Sequence, residues 1–356
     1  MPANRDTAGR LSGKASEPSD RVRPARSRGS RWIGWLTRIV LTAGVSASVL
    51  AITASAGPAQ ASTTNLFARV SAGGGLLAGN GVTAVTHLGS GRYEVTFSAN
   101  VSGCAYIATI IRNPISNPSL DAVQVFTAGG HLSHDGVYVE TKNVGSGLTD
   151  GPFNLVVDCG GPGWSFAVVG YNANLVRSSP GTTLTNFGFG RYDVTFNHNI
   201  SSCAYLAQVG DPGNSMVVGP VRVYTGSASN PDAVYIETKN TGGGLTAGIP
   251  FHLAVICPTA ASTTIAVVGA NGLIARGSSL TSSFSPTIGQ YTVVTDTSAS
   301  ACATVATPGS ADQSLPLVPT TVELIPGPAA NTAGIQVTLL LGGALADVAF
   351  HAAIVC

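Results

Sequence analysis

From about residue 66 onward the chain alternates apolar and polar side chains with a period of two. In Arg92–Phe97, Tyr93, Val95 and Phe97 point one way while Arg92, Glu94 and Thr96 point the other. The same alternation runs through Val137–Lys142 and through Phe153–Cys159, where Phe153, Leu155, Val157 and Cys159 form the inward set. Strict alternation over such runs marks half-buried β-strands. Gly89-Ser90-Gly91, Asp150-Gly151-Pro152 and Asp211-Pro212-Gly213 punctuate them as turns. No stretch of ten or more residues after the leader carries a helical stripe.

The pattern repeats. Phe67-Ala68-Arg69-Val70 returns as Phe166-Ala167-Val168-Val169 and as Ile265-Ala266-Val267-Val268, each step being 99 residues. Arg92–Phe97 returns as Arg191–Phe196 and then as Gln290–Thr295. From Phe67 to Cys104 the first two copies match at 16 of 38 positions without a gap. Self-similarity at fixed spacing decides architecture before any other signal. It predicts an all-β protein of three tandem antiparallel β-sandwich domains, residues 66–159, 165–257 and 264–356, each of about seven strands.

The cysteines keep the same beat. Each unit holds its own pair, so the expected internal disulfides are Cys104–Cys159, Cys203–Cys257 and Cys302–Cys356. Each closes a loop of about 55 residues, worth on the order of 4 kcal/mol in the chain-entropy view. The links, Gly160–Gly163 and Pro258–Ser262, are short enough to imply a stiff string of units.

Charge separates a leader from this repeat region. Residues 1–38 carry eight Arg and one Lys against Asp6, Glu17 and Asp20, a net of +6. From residue 62 onward nine basic face fourteen acidic side chains, a net of −5. Between them an apolar segment runs from Ile39 to about Ala54, and Ala59-Gln60-Ala61 supplies a small-x-small cleavage pattern. Residues 1–61 therefore read as a signal peptide cleaved near Ala61, with an extended n-region or a start further downstream. The apolar core is diluted and shorter than the roughly 20 residues of a spanning helix. The expected location is extracellular, with membrane contact only through the signal segment before cleavage. A mildly acidic, sparsely charged cargo predicts no nucleic-acid partner.

Sites of chemistry are few. The sequence lacks GxSxG, HExxH, a phosphate loop and an EF-hand loop, so no cofactor, metal or catalytic residue is assigned. His131-Leu132-Ser133-His134-Asp135 is the densest group of potential ligands, but it lies in a loop without counterpart in the other units. His252 and His351 occupy matching places, held by Asn154 in the first unit, and the alternation puts them on a strand's outer face as surface positions. Arg92, Tyr138, Glu140 and Lys142 recur as Arg191, Tyr235, Glu237 and Lys239. They read either as charge pairing on a solvent face or as a polar binding face shared by two units. The third unit has Gln290, Gln336, Thr338 and Leu340 there. Asn100-Val101-Ser102 and Asn199-Ile200-Ser201 match the glycosylation sequon.

Phe-Ala-Arg-Val, Gly-Arg-Tyr-Glu-Val-Thr-Phe, Cys203-Ala204-Tyr205 and Pro250–Cys257 together resemble a repeat of uncharacterised secreted actinobacterial proteins. The resemblance spans nearly all of the chain after the leader; the third unit departs from it at Gln290 and Thr304. It implies source and export and carries no activity. The function expected is a secreted, non-enzymatic binding, adhesion or surface-structural protein with an extracellular or cell-envelope ligand. The alternatives are a secreted hydrolase using His131, His134 and Asp135, or an inert spacer.

Overall fold

The computed structural model describes residues 65–111, 123–216, 219, 221–296, 298–315, 320–325, 327, 329–339 and 345–356. The leader, with its cleavage near Ala61, lies outside the described residues, as does Leu340. Among the described residues no helix is long and apolar enough to cross a membrane.

Among the described residues every unit contains eight strands. In the first they are β1 (Leu66–Val70), β2 (Leu76–Asn80), β3 (Val82–Gly89), β4 (Arg92–Phe97), β5 (Ala105–Ile110), β6 (Gln124–Gly129), β7 (Gly136–Lys142) and β8 (Phe153–Asp158). The second has β9 (Trp164–Val169), β10 (Leu175–Ser178), β11 (Thr183–Gly188), β12 (Arg191–Thr195), β13 (Ala204–Val209), β14 (Val221–Ser227), β15 (Ala233–Asn240) and β16 (Phe251–Ile256). The third has β17 (Thr263–Val268), β18 (Ile274–Gly277), β19 (Leu280–Thr287), β20 (Gln290–Thr295), β21 (Ala303–Pro308), β22 (Thr320–Ile325), β23 (Thr332–Leu339) and β24 (Phe350–Val355). About seven strands were expected. A short edge strand such as β2, whose Leu76–Asn80 shows no alternation, is easily missed.

Each unit is a sandwich of two antiparallel four-stranded sheets. In the first their orders are β2-β1-β8-β5 and β3-β4-β7-β6, and the other two repeat this. Tyr93, Val95, Phe97, Phe153 and Leu155 fill the space between the sheets, where burial of apolar area supplies the main stabilisation. The tight turn into β4 needs Gly91. Its φ is 64°, and a Cβ there would lie 2.5 Å from the Thr141 carbonyl oxygen.

All three expected disulfides are present. Cys104 immediately precedes β5 and Cys159 immediately follows β8, and Ala105 pairs with Asp158 across these strands. The bridge therefore staples neighbouring strands of one sheet; it does not pin the two sheets together.

The units do not form a string. Thr127 of the first bridges Gly210 of the second, Thr225 of the second bridges Gly309 of the third, and Leu324 of the third bridges Ile111 of the first. These are the same two positions of the repeat taken three times, so the chain closes into a ring with three pseudo-equivalent seams. A shared core follows from this closure. Phe67, Ile107 and Val156 pack with Leu206, Ala254 and Ile256 and with Ile265, Val305 and Val355. They are the outward residues of strands whose inward residues fill each unit's own sandwich, so the β1–β8–β5 layer is buried on both faces.

Candidate functional site

The charged residues nominated by the repeat form a compact cluster in each of the first two units. Glu140 sits opposite Arg92 in the β4–β7 register. Its carboxylate meets Arg92 Nε at 3.5 Å and Lys142 Nζ at 2.9 Å, and accepts a hydrogen bond from the Tyr138 hydroxyl at 3.3 Å. In the second unit Glu237 meets Arg191 at 3.4 Å and Lys239 at 2.8 Å, and the Tyr235 hydroxyl donates to it at 3.0 Å. The face is not a solvent face. Lys142 and Lys239 are buried, with Nζ 4.8 Å from the Phe126 ring centroid and 4.9 Å from that of Tyr224. The arginines reach furthest into water, at 50% and 49% side-chain exposure. Burial, then the neighbouring carboxylate, pushes both tyrosines up to about 12. Burial opposes ionisation of Glu237, but the Lys239 hydrogen bond and charge outweigh it and hold its carboxyl below the usual value.

This arrangement neutralises two buried lysines and leaves little free for a ligand. In the third unit the register corrects the sequence alignment by two residues: Gln336 stands opposite Gln290 and so takes the place of Glu140 and Glu237, Gly334 takes that of the tyrosines, and Thr338 that of the lysines. Replacing Arg191 with Ala is expected to cost less than about 1 kcal/mol, since the exposed arm of such a pair is screened by water. Urea denaturation checks this; a larger cost would show that Arg191, not Lys239, carries the charge of Glu237.

Around the first cluster the loop at His131 folds onto a carboxylate that the sequence reading did not single out. The backbone N–H groups of His131, Leu132 and Ser133 all donate to the fully buried Glu94 carboxylate, at 2.9, 2.9 and 3.3 Å. The His131 ring stacks on Tyr138 with centroids 3.7 Å apart. Among the described residues no three His, Cys, Asp or Glu side chains are grouped to hold a metal ion.

The two matching histidines are corrected outright. His252 and His351 are completely buried, because the outer face on which they lie is covered by the preceding unit. His252 Nδ1 accepts the Tyr106 backbone N–H at 3.0 Å, and its Nε2–H donates to the Asp211 carbonyl at 3.2 Å. His351 repeats this with Tyr205 at 2.9 Å and Ser310 at 3.1 Å. Each imidazole stacks on that tyrosine, with centroids 4.9 and 5.0 Å apart. An arginine closes the stack. Arg177 lies over Tyr106 and donates to the Cys104 carbonyl, and Arg276 does the same with Tyr205 and Cys203. Burial, then the adjacent guanidinium, lowers both imidazoles to about 3, so they are neutral in the Nε2–H form.

The third seam lacks this stack. One repeat on from Tyr205 stands Thr304, the place of His252 and His351 is taken by Asn154, and the place of Arg177 and Arg276 by Ala78. Asn154 Nδ2 donates to the Thr304 carbonyl at 2.8 Å, and Arg69 reaches across to the Ser300 carbonyl. Ala78 packs against the shared core, while Thr304 and Asn154 line a cleft of about 340 Å³ that opens between the first and third units. On the ring axis a far smaller cavity of about 70 Å³ is lined by corresponding residues of all three units, among them Ala108, Ala207 and Ala306.

On the outside, apolar side chains gather at one place per unit. The exposed large hydrophobic residues are Leu76, Leu77 and Leu88 in the first, Tyr171, Val176, Phe187 and Phe189 in the second, and Leu273, Ile274, Phe284 and Ile288 in the third. All lie on or beside the edge strands β2 and β3 or their counterparts. Only Leu132 and Val144 fall elsewhere among the described residues. Comparison of the chain with protein-family models, with curated proteins and with solved structures gives no match.

Proposed function

We propose that the protein, once exported, is a non-enzymatic binding or adhesion protein that grips an extended apolar or amphipathic ligand of the cell envelope by three equivalent edges. The observation that carries this is the grouping of exposed Leu, Phe and Ile side chains at the same edge of every unit. A solvated surface gains nothing from a contiguous apolar patch, so such patches mark contact sites. The three disulfides and the reading of residues 1–61 as an export signal support an extracellular setting. Three weak sites on one rigid frame gain by effective concentration, by up to about 10²–10⁴-fold overall.

The test is retention of the protein by cell-envelope fractions, compared among variants. Leu77→Ser, Phe189→Ser and Leu273→Ser, one in each unit, are each expected to weaken retention several-fold, and the triple variant to abolish it. Full retention by the triple variant overturns the reading. Loss caused by one unit alone, with the other two dispensable, overturns its trivalent part. No retention of the unaltered protein by any fraction is what a spacer predicts.

A further inference from the structure

The seam between the third and first units differs from the other two in a second respect besides its cleft. Arg69 stands where the repeat places Val168 in the second unit and Val267 in the third. Both valines are completely buried, each paired in register with the histidine of its seam. Arg69 pairs in the same way with Asn154, and both residues line the cleft. The seam that stays open is thus the one given a guanidinium. The volume of about 340 Å³ falls at the lower end of the range for small-molecule sites, roughly 300–1,000 Å³.

The tip of this guanidinium is within reach of a ligand. Nε is buried and takes no part. Nη1 donates to the Ser300 carbonyl; that bond lies at the surface, and the side chain is only half-buried. The Ser300 bond uses one N–H of the planar fork, and the remaining Nη hydrogens have no acceptor among the described residues. No acidic side chain lines the cleft, and among the described residues no ion pair includes Arg69. Most of the wall is apolar, with Ile111, Leu324 and Ile325 beside Ala299, Ala330 and Ala333. A single uncompensated cation against apolar walls suits a ligand with one anionic end and an apolar body.

We propose that this cleft binds a small organic carboxylate. The carboxylate oxygens accept from the Nη groups of Arg69, whose planar fork matches them. The hydrocarbon body lies against the Ile, Leu and Ala side chains of the wall. Two sources share this chemistry, a short fatty acid and an aromatic acid. The site is separate from the apolar edges and does not depend on their role.

The experiment titrates the full protein with hexanoate, benzoate, their amides hexanamide and benzamide, and acetate, by ligand-observed NMR near neutral pH. Hexanoate or benzoate is expected to bind, and the stronger of the two identifies the source. The amides keep the body without the charge, and acetate keeps the charge without the body. Each is expected to bind about tenfold more weakly than the preferred acid. Arg69→Val installs the residue of the other two units and is expected to fold and to weaken binding about tenfold or more. If it fails to fold, Arg69→Gln, which keeps most of the side-chain length, serves with the same expectation. Binding of neither acid at millimolar concentration overturns the proposal. So does an amide or acetate binding as tightly as the preferred acid. Binding unchanged in the Arg69 variants also overturns it and points to the apolar edges instead, so failure here and failure of the adhesion reading are told apart.

Discussion

Between pH 7 and pH 4.5 the ring is expected to lose about 2 kcal/mol of stability, and an Asp158→Asn variant about 5 kcal/mol. His252 and His351 are fully buried and neutral, with imidazoles lowered from 6.5 to about 3. Below pH 6.5 the unfolded chain takes up protons at these residues while the folded ring does not. Their contribution is therefore complete above pH 6.5 and is lost as the pH falls toward 3. At about 1.4 kcal/mol per pH unit, the two together cost about 5 kcal/mol by pH 4.5, and each costs about 5 kcal/mol over the whole window. Asp158 works in the opposite direction. Burial pushes its carboxyl up to about 7, so the folded state holds its proton first and gains stability as the pH falls from 7 toward 3.8. This offsets about 3 kcal/mol of the histidine loss at pH 4.5.

Guanidinium denaturation at the two pH values, on the parent, Asp158→Asn and His252→Asn/His351→Asn, separates these contributions. The last variant installs the residue of the first unit and is expected to reverse the sign of the pH dependence. Equal stabilities at both pH values in Asp158→Asn would show that the imidazoles are not held neutral. The lowered carboxyls of Asp150, Glu237 and Asp312 add their own loss mainly below about pH 4.5, outside the measured interval.

Replacing Tyr205 with Ala is expected to cost about 3–5 kcal/mol, the range for removing a large aromatic side chain from a core. The ring is 1% exposed, stacks on His351, lies under the Arg276 guanidinium and donates its hydroxyl to the Ile200 carbonyl at 3.0 Å. Truncating it vacates the core of the second unit and undoes a seam together. Thr304→Ala, one repeat further on, is expected to cost about 1 kcal/mol or less, because that seam already has the cleft. The contrast between two positions related by the repeat is the informative quantity. Equal costs would mean that the seams do not contribute to stability and that each unit stands alone. In that case denaturation would also show separate transitions, whereas a shared core predicts one.

Much of the fold was legible along the chain. The 99-residue repeat, the paired cysteines and the period-two runs each rest on local or near-local rules, and they lead to the sandwich and its staples without a structure. The ring was not read, although a signal for it exists. Tyr106, Ile107, Ala108 and Ile110 on β5, and Phe153, Leu155, Val156 and Val157 on β8, are apolar on both faces. A strand apolar on both faces is covered on both sides. One sandwich covers one side, so a second cover was implied.

The charge cluster and the histidines failed for a common reason. Alternation in Phe251-His252-Leu253 tells which way His252 points relative to its own sheet, and that direction was read correctly. What lies in that direction depends on another unit some 146 residues away in the chain, Tyr106 being the partner. Likewise Lys142 is read as a polar outward residue, yet Phe126 and Glu140 enclose it.

The sequence by itself determined the repeat, the strands, the disulfide pairing and the direction in which each side chain leaves its sheet, because these follow from backbone geometry and local spacing. Only the tertiary structure decided that the three sandwiches close on one another, that two histidines and two lysines are buried, and that one seam stays open. Those outcomes arise from packing between distant segments, where the volumes of Thr304 and Asn154 act together and no single stretch of sequence contains the sum.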